Sequence, residues 1–378
     1  MLVDLFSVQP LMKPEDYLSR EAFYHKIDRY FQAASRERTA DRPAVIVFPE
    51  DLATFLLLEG HADILSSVKT VDEAFTVLGK RMLPRILWTM VQYGTIRSKR
   101  AFFANGAAKV WHIWHGTMSR LAHDYQMTVV AGSALIPESR WMYDTNSYMP
   151  RSAKIYNLSF TVGPDGHVLS RTKKVNLVPT QEDVLELTRG RLDEALDAVH
   201  IPGTSIPMAT AICYDAFWRP HTDHEPTFQN VLAALDAQGV QLVAQPSANP
   251  WRWDEAWPFD PPGHPPRTRA QQWDQEGSQT ALKHAQHVEV IINPQLLLEF
   301  LDLHFDGPSR ILARNGETVS TLVEAGAVRG PEAEMVLKSE WDFSESNAFA
   351  AAKTGTEPTP RPLLRFRARS RVPKPESR

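Results

Sequence analysis

The spacing of hydrophobic and polar positions changes several times along this chain, and each change marks an element. Residues 3–8 alternate and stop at Pro10, the pattern of a strand. Residues 20–34 recur at helical spacing, with Phe23, Ile27, Tyr30 and Phe31 on one face. Residues 44–48 are a continuous apolar run closed by Pro49-Glu50, as expected of a central parallel strand covered on both sides. This β-α-β opening predicts an α/β sheet. Residues 56–103 are helical in character, with Val71, Phe75 and Leu78 on one face and Pro84 as punctuation. A further helix over 108–125 leads into a strand at 127–132.

The second half continues the alternation. Strands at 156–162 and 168–177 flank Gly163-Pro164-Asp165-Gly166, a hairpin signal. Residues 182–196 are mostly polar or helical. An apolar strand over 205–212 runs into Cys213, a helix is expected at 228–238, and a strand at 241–245 ends in Pro246-Ser247-Ala248-Asn249-Pro250. Residues 251–267, dense in tryptophan and proline, read as a loop. They are followed by a helix at 275–287, a strand at 288–292, a hairpin around Arg314-Asn315-Gly316 and a short strand at 335–337. No internal repeat is visible. Residues 1–345 are expected to form one domain, and 346–378 a disordered or strap-like tail.

Composition narrows the class. The chain has 378 residues, 43% hydrophobic and 23% charged, with a formal net charge of −4, as in ordinary globular proteins. That balance gives no overall footprint for nucleic acid or an anionic membrane. Arg361, Arg365, Arg367, Arg369 and Arg371 of the tail make a small basic arm read as solvated or lying across a partner subunit. A single cysteine excludes an intramolecular disulfide and multi-cysteine zinc sites. His112, His115, His221 and His224 match no zinc spacing, so neither metal nor cofactor is expected. Met1-Leu2-Val3-Asp4 lacks a basic leader and no apolar run is long enough to span a bilayer, so the predicted location is cytoplasmic.

The candidate chemistry gathers at strand ends, where open α/β sheets place reactive groups. Glu50 closes the second strand, Lys174 lies near the end of a hairpin strand, and Cys213 ends a later one. Cys213 taken alone reads equally well as a small buried hydrophobe. A thiol used as a nucleophile needs a base or a positive field, because it is mostly protonated at neutral pH.

These segments resemble the nitrilase superfamily of carbon-nitrogen hydrolases. Val47-Phe48-Pro49-Glu50 is similar to that family's strand ending in Pro-Glu. Lys174-Val175-Asn176-Leu177 resembles its Lys-x-His-Leu segment, with Asn176 in place of histidine. Ile212-Cys213-Tyr214-Asp215 resembles its cysteine elbow, Gln245-Pro246-Ser247-Ala248 the strand end that follows, and Phe305-Asp306-Gly307-Pro308-Ser309 the late Gly-x-Ser. The resemblance covers roughly residues 1–325 and implies an α-β-β-α sandwich, at least a homodimer, and a small amide or carbamoyl-type substrate. It implies Cys213 as nucleophile forming a thioester, Glu50 as base, Lys174 as oxyanion stabiliser with the Tyr214 backbone N–H, and Glu182 as a further site carboxylate holding Lys174. Glu182 also reads as a carboxylate at a helix N-terminus. Lys173 is the rival to Lys174; strand neighbours face opposite sides, and Lys173 is expected at the surface.

Two departures stand out. The stretch between Glu50 and Lys174 is long, and residues of about 56–103 read as a helical insertion, either a lid or wall over the site or a surface for oligomerisation. The family's usual Arg-Ala-x-Glu-Asn run is not evident. Asn249 and Trp251 are candidate substrate-binding residues, and Trp253, Trp257 and Phe259 either extend an aromatic wall or pack on their own loop. Nitrile hydrolysis, acyl transfer and a non-catalytic binding role remain the alternative functions; Cys213-Tyr214-Asp215 departs from the Cys-Trp-Glu of nitrilases proper.

Overall fold

The computed structural model describes residues 1–140, 147–179, 181–182, 184–222, 225–260 and 265–343. The tail from residue 346, with its arginines, and His224 lie outside the described residues.

Two six-stranded sheets stack face to face. The first contains β1 (Leu2–Gln9), β2 (Ala44–Val47), β3 (Thr128–Ser139), β4 (Pro150–Val162) and β5 (Val168–Lys173). The second contains β6 (Val199–His200), β7 (Pro207–Thr210), β8 (Leu242–Ala244), β9 (Val290–Asn293), β10 (Arg310–Asn315) and β11 (Thr318–Glu324). The chain then returns to the first sheet as β12 (Met335–Asp342), antiparallel along the whole of β1. The spatial orders are β12-β1-β2-β3-β4-β5 and β6-β7-β8-β9-β10-β11. Both sheets carry the same pattern: an antiparallel edge, a parallel triplet, then two antiparallel strands. A repeat therefore exists in topology although none is visible in sequence.

Alternation along the strands makes the layers. Val3, Leu5, Val45, Val47 and Val130 of the first sheet meet Met208, Leu242, Ala244, Val290, Ile292 and Ile311 of the second. The opposite face of the first sheet, with Phe6, Ile46, Phe48 and Phe160, is covered by α1 (Arg20–Glu37) and by a long helix that carries Trp111, Trp114 and Met118. The outer face of the second sheet, with Ala209, Val243, Ile291 and Leu312, is covered by helices that carry Val231, Leu232, Leu235, Ala281 and Leu282. The result is the expected α-β-β-α sandwich. A smaller sheet of Ser247–Ala248, Gln295–Phe300, Leu303–Phe305 and Leu11–Met12 is an addition that sequence periodicity did not indicate.

The segment between Glu50 and β3 is helical, as expected. After a 3-10 turn at Thr54–Leu58 come α2 (Val71–Arg81), α3 (Leu83–Tyr93) and α4 (Ser98–Tyr125), the long helix on the first sheet. Pro84 falls in the first turn of α3, where its missing N–H has no intrahelical role. The outward side of α3 leaves Leu87, Trp88 and Val91 exposed. Lys99 and Arg100 donate to the carbonyls of Val184 and Glu186, so this segment borders the loop that carries Glu182. The helix expected at 275–287 is instead two helices, Arg269–Glu276 and Ser278–His284, broken at Gly277. A Cβ at Gly277 would stand 2.4 Å from the Trp273 carbonyl oxygen. Among the described residues no helix is long and apolar enough to cross a membrane.

Candidate active site

Glu50 is delivered by a turn that locks onto β3. The Phe48 N–H donates to the Val130 carbonyl, and the Asp51 N–H to Ser133 Oγ. Between those two anchors β3 shifts register, as at a β-bulge. Gly132 sits there at φ +73°, and a Cβ on it would stand 2.3 Å from the Pro49 carbonyl oxygen, so only glycine fits beneath the Glu50 turn.

Cys213 follows β7 in the second sheet. Its N–H donates to the Pro246 carbonyl and its own carbonyl accepts from Gln245 Nε2, both at the end of β8. Its φ is +49°, a left-handed conformation that costs a non-glycine residue about 1–3 kcal/mol. Cys213 opens a 3-10 turn, Cys213–Ala216, in which Tyr214 precedes the first intrahelical N–H donor.

Lys174 comes immediately after β5. Its N–H donates to the Asn157 carbonyl, and its carbonyl accepts from Gly190 N–H. Asp215 then ties this segment to the cysteine turn: its two carboxylate oxygens accept from the N–H groups of Val175 and Asn176 at 2.9 and 2.7 Å. Asn176 makes a reciprocal pair with the Gln229 backbone.

These elements bring Glu50, Lys174, Glu182 and Cys213 together. Lys174 Nζ lies 2.8 Å from Glu50 Oε1 and 2.8 Å from Glu182 Oε2. Asn157 Nδ2 donates to both carboxylates, at 2.7 Å to Glu50 and 3.2 Å to Glu182. The Ala248 N–H, from the smaller sheet that follows β8, donates to Glu50 Oε2 at 3.0 Å. The Val178 N–H donates to Glu182. Glu182 lies in a turn rather than at a helix start, so its partner is the lysine and not a helix dipole.

The electrostatics follow from burial. Desolvation pushes the Cys213 thiol well up, and the Glu50 charge adds to it while Lys174 opposes it; the resting sulfur is a thiol. The thiol donates at 3.9 Å to the carbonyl of Ala248, the residue whose N–H holds Glu50, and Glu50 is near enough for its charge to act on the sulfur. Burial also raises Glu50 above the ordinary carboxylate value, against the pull of Lys174 and with a push from Glu182. Burial works against the charge on Lys174, but Glu182 and Glu50 more than offset it and hold the ammonium charged.

Several expectations need correction. Lys173 is not a surface residue: it is buried and ion-paired with Glu194 at 3.0 Å and Glu138 at 3.4 Å, away from Cys213, because the strand turns its stem inward between those carboxylates. Asn249 is fully buried with its amide already engaged, Nδ2 on the carbonyls of Trp251 and Asp306 and Oδ1 on Arg269 Nε. It holds other groups in place rather than offering a free one. Trp251 meets Trp257 and Phe259 edge-on, so the aromatic loop packs largely on itself, while Trp251 and Trp253 also reach the Cys213 cluster. His221 stacks on the Tyr214 ring at 3.8 Å, and burial pushes it well down, so it is neutral. His115 stacks on Trp111. Asn157, Asp215 and Arg269 were not singled out in the sequence. Asn157 becomes recognisable only through its position beside Lys174 in the β4–β5 pair.

A family model described as carbon-nitrogen hydrolase matches residues 7–327. No curated protein matches significantly. Among solved structures, a mutant of the Nesterenkonia AN1 amidase from the nitrilase superfamily aligns with TM-score 0.51 and 14% identity over 90% of each chain. Nit3 of Saccharomyces cerevisiae, a member of branch 10 of the nitrilase superfamily, aligns with TM-score 0.48 and 15% identity over 95% of each chain. With a match over most of its length, the chain belongs to the carbon-nitrogen hydrolase family.

Proposed function

We propose that this protein hydrolyses a small amide through a thioester on Cys213. The observation that carries the reading is the buried Lys174 ammonium, clasped by Glu50 and Glu182 beside the only thiol in the chain.

Glu50, a carboxylate raised by burial, takes the proton of the thiol as sulfur attacks the carbonyl carbon. The proton moves between neighbours, so no net charge enters the buried site. Negative charge then develops on the carbonyl oxygen, where Lys174 Nζ and the Tyr214 N–H are the fixed donors. The C–N bond breaks, Glu50 passes its proton to the departing amine, and the acyl group remains on Cys213. Water enters, Glu50 takes one of its protons, and hydroxide adds to the thioester. Release of the acid returns the proton to sulfur. Glu182 and Asn157 act as positioning residues that hold the ammonium and the base in register.

The test is acid-quenched intact mass during turnover of a panel of amides, with ammonia release measured in parallel. The expected result is a mass increase equal to the acyl group, absent from Cys213→Ala. A folded protein that releases ammonia without passing through any adduct, or a Cys213→Ala variant that still turns over, overturns the thioester reading.

A further inference from the structure

Arg269 is a buried cation with no carboxylate in ion-pair contact among the described residues. It opens the helix Arg269–Glu276 and is 2% exposed. Its two hydrogen bonds go to neutral amide oxygens, from Nε to Asn249 Oδ1 and from Nη1 to Gln272 Oε1. Nη2 has no partner among the described residues. Three tryptophan rings surround the guanidinium, with centroids at 4.9 Å for Trp251, 4.1 Å for Trp257 and 5.5 Å for Trp273.

The contrast with Arg267 is direct. Two residues earlier on the same segment, Arg267 is paired with both Asp260 and Glu276. Glu276, whose charge acts on Arg269, is thereby already engaged, and Gln272, which donates to Glu276 and to His221 Nδ1, has its oxygen fixed toward Arg269. Burying an unpaired charge is costly unless something compensates it. Tryptophan faces stabilise a guanidinium but leave its in-plane donors free for a planar anion. Trp273 belongs to the same buried cluster as Cys213, and Trp251 packs on it. Arg269 and Cys213 are close enough for each to feel the other's charge. Burial draws Arg269 down to about 9, which leaves it charged at neutral pH.

We infer that Arg269 is a substrate-binding residue of the Cys213 site and receives a carboxylate, so that the preferred amide is an anionic one. This rests on Cys213 being the nucleophile. With Nε and Nη1 held by Asn249 and Gln272, Nη2 is the donor left to a carboxylate oxygen, and the tryptophans exclude water from the pair. Asn249 and Gln272 keep the fork oriented.

The lone thiol makes the test independent of the natural substrate. Wild type, Arg269→Gln and Arg269→Lys are alkylated with iodoacetate and with iodoacetamide, followed by intact mass, with unfolded protein as the reference. Native wild type should favour iodoacetate over iodoacetamide by about tenfold or more relative to unfolded protein, the scale of one charge-assisted hydrogen bond. Arg269→Gln should remove that preference, slowing iodoacetate about tenfold more than iodoacetamide, and Arg269→Lys should keep part of it. Equal slowing with both reagents would make Arg269 a group that tunes the thiol and would overturn carboxylate recognition. A wild-type preference no greater than that of unfolded protein overturns it as well, and does so even if Arg269→Gln fails to fold. Normal iodoacetamide reactivity in either case leaves Cys213 standing as the nucleophile; a folded thiol inert to both reagents removes that reading and this one together.

Discussion

Lys173 and Lys174 are adjacent, both buried, and each is clasped by two carboxylates, yet they lie in different worlds. Lys173 holds Glu138 and Glu194, and the Glu194 side chain is 43% exposed. Lys174 holds Glu50 and Glu182, with side-chain exposures of 2%, 4% and 11% for the three. Water screens the first cluster and weakens what each charge is worth. It does not reach the second to the same degree, so every charge there alters the protonation of its neighbours. The lesson is that an ion-pair motif becomes chemical machinery when solvent is withdrawn from it and a nucleophile is placed beside it.

The strongest way to break the comparison is Lys174→Met. It leaves two buried carboxylates facing one another, which should destabilise the fold by about 3–5 kcal/mol and abolish measurable amide hydrolysis. Denaturant titration and an ammonia assay check both halves. Near wild-type stability would show that water reaches this cluster after all.

Glu50→Gln should lower turnover by about a hundred- to ten-thousandfold. Because Glu50 is raised by burial and works as a carboxylate, wild-type rate should fall as pH drops through that raised value. The limb should begin above the ordinary carboxylate range and vanish in the variant. A limb at the ordinary carboxylate value would point to a solvated base.

Asp215→Asn should cost about 1.5–3 kcal/mol, since one backbone N–H would meet an amide NH2 in place of an acceptor. Asp215 is pushed up to about 7 by burial, against its two backbone N–H donors. The native carboxyl then keeps its proton between its ordinary value of 3.8 and about 7, where the unfolded one has released it. Its contribution to stability therefore falls as pH rises across that window and is constant above it. Denaturation midpoints measured from pH 4 to 8 should show this slope in wild type and a flatter line in the variant.

Lys173→Ala should be the mildest change, within about 1 kcal/mol and with unaltered kcat/KM. Damage equal to that of Lys174→Met would erase the distinction between the two lysines.

Much of this was legible in the sequence, for identifiable reasons. The continuous apolar run at 44–48 marked a central strand, a strand was expected at 241–245, and Glu50 and Cys213 follow strands as expected. Periodicity located α1 because its buried face is regular. The strand expected at 168–177 stops at Lys173, four residues sooner than its pattern suggested, so the orientation of the two lysines reflects the chain leaving the sheet rather than simple alternation. Asn157 was hidden because a polar residue inside a strand says nothing until its cross-strand neighbour is known. Arg269 was hidden because the Trp/Pro-rich loop carries no period, and a buried arginine looks like any surface arginine in one dimension. The first sheet's edge strand, β12, read as three residues and spans eight, since its exposed alternate positions dilute the apolar signal.

The contact between Glu50 and the Ala248 N–H joins positions 198 residues apart, one just after β2 of the first sheet and the other a few residues past β8 of the second. Closing so long a loop is entropically slow and rewarded only at the end. Each half-sandwich can collapse on its own helices before this contact exists. Thiol reactivity toward a neutral alkylating reagent therefore serves as a clock for refolding: helical signal should return first, and native reactivity at Cys213 only when the two sheets have docked.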